Sequence, residues 1–288
     1  MPTPEGFDIF DSVYCISLKR SVERREHMVG QFQSLGVEFA FIDAYDWDSP
    51  EVASLMSSGQ VAAYPPCFRC KQMECDCQNK SLFQPQIGNW LSHKAAWQRI
   101  SAGGDQLSLI CEDDIVFLDS HRSTLELVAG NQDVTAALKS GEPLLIRLGW
   151  ALCEDHAYDG VPYLDSELKM SNPCYAISAS MASLLTTSLT RIETTSDHFI
   201  HEIIGQSVTN FTAYPPLAHD LSWSTGGFCS EIRPKQGHID YLTHQLQDLQ
   251  PGDPRYETIT FRIRQEEKRI KAYEAFNEDP ASDRWRAR

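Results

Sequence analysis

The chain has 288 residues, 42% of them hydrophobic and 10% aromatic, enough to build a core for one large domain or two small ones. Its formal charge of −15 argues against a nucleic-acid-binding surface, which needs clustered Lys and Arg. A nucleotide is not excluded, because it needs only one local cationic or metal site.

Positions 1–12 carry Glu5, Asp8 and Asp11 and lack the basic-then-apolar order of a signal peptide. No apolar run approaches the roughly 20 residues of a membrane helix. A soluble, cytoplasmic protein with no integral membrane segment is expected, and peripheral membrane association stays open. Of the nine cysteines, Cys15, Cys111, Cys153, Cys174 and Cys229 are scattered through apolar or mixed segments like core residues, which fits reduced thiols.

In chain order, Val13–Ser17 reads as a short strand, and Ser21 is placed to cap a helix with Val22, Met28, Val29, Phe32 and Leu35 on its apolar side. Gly36 ends that helix, and Val37–Ile42 reads as a second strand closed by Asp43, completing a βαβ unit. The loop after the first strand faces the ligand crevice of such a unit. It brings Lys19, Arg20, Arg24 and Arg25, with Arg20 and Arg24 preferred, to meet a diphosphate or a base; a solvated basic helix start is the alternative.

Residues 46–60 are polar and turn-rich. Cys67, Cys70, Cys75 and Cys77 then fall within eleven residues among mostly polar neighbours. Tetrahedral thiolate coordination of a structural Zn²⁺ is the leading reading, with disulfide or redox chemistry, or no bond, as alternatives. Ile87–Ile100 has helical spacing, and Ser92 and His93 near its start either reach a phosphate or ribose or are simply hydrogen-bonded.

After Gly103-Gly104, the apolar run Leu107–Cys111 ends in Glu112, Asp113 and Asp114. Two carboxylates about 4 Å apart repel by roughly 1–4 kcal/mol at effective dielectrics of about 80 down to about 20. A divalent cation held at the carboxyl end of a buried strand would relieve that repulsion; an acidic turn with Asp114 as a cap is the plainer reading. Further on, Leu144–Gly149 reads as a strand interrupted by Arg147, with Gly149 permitting close backbone approach. Pro173–Ser178 reads as another strand, followed by a small-residue helix.

Ser196 or Asp197 is placed to cap a helix with Phe199, Ile200, Ile203 and Ile204 on its apolar side. Asp197 and His201 are four apart, as an acid/base pair or metal ligands would be. Residues 208–214 read as a strand, and His219 and Asp220 in the loop after it are candidates for a metal or phosphate contact. From Pro234 the composition turns charged and reads as a solvated helical tail. There is no internal repeat and no Gly-rich phosphate loop.

Val13–Arg25 with Phe41–Ala44, Ile87-Gly88 with Leu91–Trp97, Leu109–Ile115, and the late group Cys174–Ser178, Ser196–Phe199 and Tyr214–Leu217 together resemble glycosyltransferase family 25. That group includes bacterial lipooligosaccharide galactosyltransferases and collagen galactosyltransferases. The resemblance implies an α/β fold, a GT-A-like Rossmann-type mixed sheet flanked by helices. It further implies a UDP-sugar donor, usually UDP-galactose or UDP-glucose, and transfer with inversion.

Carried over, Asp114 with Glu112 or Asp113 matches the acidic motif that holds Mn²⁺ or Mg²⁺ against the donor diphosphate, and His219 is added as a metal ligand. Arg20, Arg24, Asp43, Ser92, His93, Glu112 and Asp113 are assigned to the donor, and Asp197 to the base that takes the acceptor proton. Two departures stand out: the four-cysteine insertion, and Arg147 where an acid is more usual.

The expected organisation is a glycosyltransferase domain over 10–233, containing a Cys-rich insertion at 64–80, and a helical extension over 234–288. The expected activity is metal-dependent transfer of a hexose to a surface-glycan or protein-linked acceptor. The rivals are a metal-dependent phosphoesterase using Glu112–Asp114 and a non-catalytic module that binds partners through the zinc loop.

Overall fold

The computed structural model describes residues 6–62, 82, 84–150, 160–222 and scattered positions between 239 and 267. Cys67, Cys70, Cys75 and Cys77 lie outside the described residues, as does most of the 234–288 stretch. Within that stretch, positions 255–257, 259–260 and 263–264 are helical. Among the described residues, no helix is long and apolar enough to cross a membrane.

The chain opens with β1 (Ser12–Ser17), α1 (Val22–Leu35) and β2 (Ala40–Asp43), followed by α2 (Pro50–Ser57), α3 (Gln84–Gly103) and β3 (Leu107–Glu112). Then come β4 (Ile115–Phe117), α4 (His121–Gly130), α5 (Gln132–Ser140), β5 (Leu144–Gly149) and β6 (Tyr163–Asp165). The described core ends with β7 (Cys174–Ser178), α6 (Ala179–Ser188), a π-helical turn (His198–Ile204), β8 (Thr209–Tyr214) and β9 (Ala218–Asp220).

Seven strands form one mixed sheet in the order β2-β1-β3-β7-β5-β8-β6, while β4 and β9 pair separately. β1 runs parallel to β2 and β3, β7 runs antiparallel to both β3 and β5, and β5 runs parallel to β8. The carboxyl ends of β1, β2, β3, β5 and β8 therefore share one edge, the edge where open α/β sheets bind ligands.

Period-two alternation along the central strands divides the interior into two cores. Val13, Cys15, Leu109, Cys111, Ile146 and Ala176 face one side with Met28 and Phe32 of α1, Leu125 of α4 and Val134 of α5. Tyr14, Ile16, Ile110, Leu145, Tyr175 and Ile177 face the other with Trp90 and Trp97 of α3 and Met181 and Leu185 of α6. A sheet buried on both faces accounts for the continuous apolar runs of its strands.

Several local expectations need revision. Gly36 closes α1 in the left-handed conformation (φ 66°) as expected, but Ser21 makes no side-chain cap bond. The run 107–117 is two strands: β3 ends at Glu112, and β4 joins β9 after the Asp113-Asp114 turn. Helices α4 and α5 were not anticipated, although Asn131, whose Oδ1 accepts from the N–H groups of Asp133 and Val134, and Gly141 at φ 71° bracket α5 with ordinary caps.

Arg147 projects from β5 into the sheet and is 1% exposed. Its guanidinium donates to Asn210 Oδ1 at 2.8 Å and to the His201 carbonyl at 3.1 Å, tying β8 and the π-helical turn together. Burial lowers its pKa to about 10, which still leaves it charged at neutral pH.

Gly149 has no room for a side chain, because a Cβ there would lie 2.6 Å from the Ala218 carbonyl oxygen, whereas a Cβ at Gly30 would meet nothing within 4 Å. Gly149→Ala is expected to cost about 1–3 kcal/mol through overpacking. Gly30→Ala, inside α1, is expected to gain roughly 0.5–1 kcal/mol. Urea unfolding of the two variants beside wild type tests both signs, and equal stabilities would contradict the packing at Gly149.

Candidate active site

The acidic run leaves β3 at the shared carboxyl edge, and its three side chains diverge. Asp113 is saturated: Ser17 Oγ donates to Oδ2 at 2.6 Å and Arg24 Nη1 donates to Oδ1 at 2.7 Å. The same Arg24 nitrogen lies 3.3 Å from Asp114 Oδ2, which also accepts from Ser222 Oγ at 2.5 Å. Asp114 Oδ1 is buried and has no hydrogen-bond partner among the described residues. An unpaired carboxylate oxygen away from water is costly unless a ligand supplies its partner.

Glu112 is held differently. Its Oε1 accepts from Asn89 Nδ2 at 3.0 Å and from His93 Nε2 at 3.2 Å. Behind His93, Trp97 Nε1 donates to Tyr175 Oη at 2.9 Å, and Tyr175 Oη lies 2.9 Å from His93 Nδ1. The Tyr175 proton finds its acceptor in Nδ1, which places the imidazole hydrogen on Nε2, facing Glu112. A second chain runs from Asn172 Nδ2 to Ser196 Oγ at 3.0 Å, and from Ser196 Oγ to Asn89 Oδ1 at 2.6 Å. Asn89 and His93 are four apart on α3, so one helical face presents both donors.

These surroundings separate the acids electrostatically. Burial pushes the Asp114 carboxyl up to about 7; Arg24 opposes this, while the charges of Glu112 and Asp113 add to it. Burial also raises Asp113 against the pull of Arg24 and Ser17. For Glu112, burial is outweighed by the His93 hydrogen bond, with help from Asn89 and Arg24, and the carboxyl is held below its usual range.

All three acids line an open cleft of about 670 Å³, together with Ser17, Arg24, Asn89, Ser92, Ser222 and the Tyr45–Trp47 loop. Ser92 lies on its wall with its hydroxyl occupied: Oγ donates to the Gly88 carbonyl at 2.6 Å and accepts from the Tyr45 N–H at 2.9 Å. Arg20 does not line the cleft; its Nε lies 2.5 Å from Oδ2 of Asp46, which does. Asp43 pairs with Lys19 at 3.1 Å and with Arg25 at 2.7 Å, away from the cleft lining. His93 is fully buried and reaches the cleft only through Glu112.

Asp197 precedes the π-helical turn, makes no side-chain cap bond and does not line the cleft; its neighbour Ser196 links it to Asn89. Among the described residues Asp197 and His201 do not pair, although they are four apart, because His201 turns Nε2 to the Ser171 carbonyl and its Nδ1 has no hydrogen-bond partner. His201 is buried, Nε2 lies 2.9 Å from the Ser171 carbonyl, and burial and the Arg147 charge hold it well below its usual pKa. His219 sits in β9 opposite Val116 and does not line the cleft.

Among the described residues, no group of three or more His, Cys, Asp or Glu side chains could hold a metal ion. An all-protein metal cage is therefore not built there. The unpartnered oxygen of Asp114 instead fits a hard cation that arrives with its ligand, bound through one or two carboxylates and completed by phosphate oxygens.

The raised Asp114 carboxyl has a consequence for stability. Between about pH 4 and about pH 7 the folded protein keeps a proton that the unfolded chain has released, so its contribution weakens as pH rises through that window. Asp114→Asn removes this dependence. Compared with wild type in metal-free buffer, its unfolding midpoint is expected to gain between about pH 5 and about pH 8, as read by calorimetry. An equal difference at both pH values would place the charge strain elsewhere.

The glycosyltransferase family 25 (LPS biosynthesis protein) model matches residues 10–200. The chain is 29% identical over 142 residues to the Homo sapiens inactive glycosyltransferase 25 family member 3, covering 49% of this chain and 22% of that protein. It is 24% identical over 141 residues to Mus musculus procollagen galactosyltransferase 2, covering 48% of this chain and 20% of that protein. Xenopus laevis procollagen galactosyltransferase 1-B is 26% identical over 110 residues, 38% of this chain and 16% of that protein. The matched segments thus span about a fifth of these relatives' lengths. The family match takes in β1 through α6 and every acid of the cleft. The chain belongs to glycosyltransferase family 25.

Proposed function

We propose that the chain is a GT-A-type, metal-dependent glycosyltransferase that moves galactose or glucose from a UDP-sugar to a glycan or glycoconjugate hydroxyl with inversion. The observation that supports it most directly is the buried, unpartnered Asp114 Oδ1 beside Arg24 at the carboxyl ends of β1 and β3. The names of the procollagen galactosyltransferases favour galactose.

In this reading Asp114, with Glu112 as a second carboxylate, holds Mn²⁺ or Mg²⁺. When bound, the cation acts as a Lewis acid and draws charge from the departing diphosphate. Arg24 opposes the effect of burial on Asp113 and fixes its carboxyl behind Asp114, so the ligating oxygen is preset rather than recruited. Asn89 and His93 fix one oxygen of Glu112 and leave the other available to the cleft. Asp197 is proposed as the base on the acceptor side, and its carboxylate is not consumed by helix capping. The four cysteines are proposed to hold a structural Zn²⁺ on the strength of their spacing.

A second reading is a nucleotide-sugar-binding protein without turnover, favoured by the name of the human inactive relative. UDP release from UDP-galactose and UDP-glucose in Mn²⁺, with glycan and glycopeptide acceptors, separates the two. Wild type is expected to turn over, Asp114→Ala to lose at least about 100-fold in rate, comparable with loss of a single preorganised electrostatic group, and Asp197→Asn to lose turnover while keeping UDP affinity. Binding without turnover by wild type supports the second reading; phosphate release from simple esters without a sugar nucleotide would indicate a phosphoesterase.

Zinc is tested independently by metal analysis of the purified protein. About one equivalent is expected, falling when Cys70 and Cys75 are replaced by Ser; less than about a tenth of an equivalent in wild type removes the site.

A further inference from the structure

Trp47 is 41% exposed, although it lies on the wall of the cleft that holds the acidic cluster. Its ring stacks on no aromatic neighbour, and its indole N–H makes no hydrogen bond among the described residues. An exposed tryptophan on a loose loop would need no explanation, but this loop is fixed at successive positions. The Ala44 N–H donates to the Ser17 carbonyl at 2.9 Å, and the Tyr45 N–H donates to Ser92 Oγ at 2.9 Å. The Tyr45 carbonyl lies so close to α3 that a Cβ on Gly88 would stand 2.5 Å from it. Asp46 accepts from the Trp47 N–H at 2.8 Å while its carboxylate holds Arg20, and the Ser49 N–H donates to the Asp46 carbonyl at 3.1 Å. A large aromatic face is thus presented toward solvent, beside the acidic cluster, from a loop whose backbone is fixed.

Its position along the sheet edge is informative. The positive and cation-seeking groups, Arg24 and Asp114 Oδ1, sit at the ends of β1 and β3. The Trp47 loop continues from the end of β2, the edge strand on the far side of β1. A diphosphate at β1 and β3 therefore has Trp47 on one flank, and β7 and β5 on the other. The flank at β2 ends with the sheet, so an extended acceptor chain has less surface there than across β7 and β5.

We propose that Trp47 is the stacking platform for the base of a nucleoside diphosphate, so that the base lies toward β2 and the transferred sugar and acceptor lie toward β7. This rests on the nucleotide-sugar reading and specifies it further. Stacking recognises the π-face of the base rather than its edge, so Trp47 contributes affinity and orientation, and choice among bases must come from other groups.

The test is calorimetric titration of the full chain in Mn²⁺ with UDP and, separately, with inorganic pyrophosphate, using wild type, Trp47→Ala and Trp47→Phe. Trp47→Ala is expected to weaken UDP binding by roughly 5- to 150-fold while leaving pyrophosphate affinity unchanged, and Trp47→Phe to recover most of the loss. Equal UDP affinity in wild type and Trp47→Ala overturns the platform and leaves the nucleotide reading intact. So does parallel weakening of UDP and pyrophosphate, which would mean the loop had moved. If wild type binds neither UDP nor ADP nor GDP, the nucleotide reading itself fails and the platform with it.

Discussion

The guanidinium of Arg24, 7% exposed, lies between Asp113 and Asp114, and the organisation of the cleft depends on it. Three consecutive carboxylates at the end of a buried strand repel one another in a medium that solvates charge poorly. One cation from the first turns of α1 offsets part of that repulsion and sets the direction in which two of the three side chains point. A buried ion pair of this kind contributes little net stability against its desolvation cost, but it defines an arrangement. Here it leaves one oxygen of Asp114 buried and unpartnered, and a ligand is the natural source of the missing partner.

The third acid is arranged without a cation. Glu112 hangs from two chains of hydrogen bonds, one through His93, Tyr175 and Trp97 and the other through Asn89, Ser196 and Asn172. These chains draw on α3, β7 and the segment before the π-helical turn, where the Trp90 indole N–H also donates to the Thr194 carbonyl at 2.8 Å. The matched donors of the two chains fix the rotamer of Glu112, while Asn172 Oδ1 at the far end has no hydrogen-bond partner among the described residues. The edge that carries the cleft and the core beneath it are therefore one structure.

Membership of family 25 describes the scaffold more firmly than the chemistry. Relatives named as inactive and relatives named as galactosyltransferases match the chain over similar shares of its length. The matched segments are about a fifth of those proteins' lengths. In this chain the acids, Arg24 and the Glu112 supports are all in place.

The sequence by itself determined the layered α/β class, because apolar runs at strand length alternated with helical spacing, and Gly36 marked the end of a helix through its left-handed backbone. It also determined that Glu112–Asp114 and Arg24 were worth watching, since adjacent acids need a compensating charge. It did not determine which functional group does what. Ser92 and His93 looked like ligand contacts, yet both are spent on internal hydrogen bonds, because the loop after β2 and the face of β7 close over α3 from distant parts of the chain. Ser17, Ser222 and Tyr175 had no local signal; Ser17 and Ser222 matter only because the fold sets them beside an acid 96 or 108 residues away, and Tyr175 because it is set beside His93, 82 residues away. Hydrogen bonds are short-ranged and directional, so their partners are chosen by the folded sheet, while periodicity and charge repulsion act along the chain and can be read before it folds.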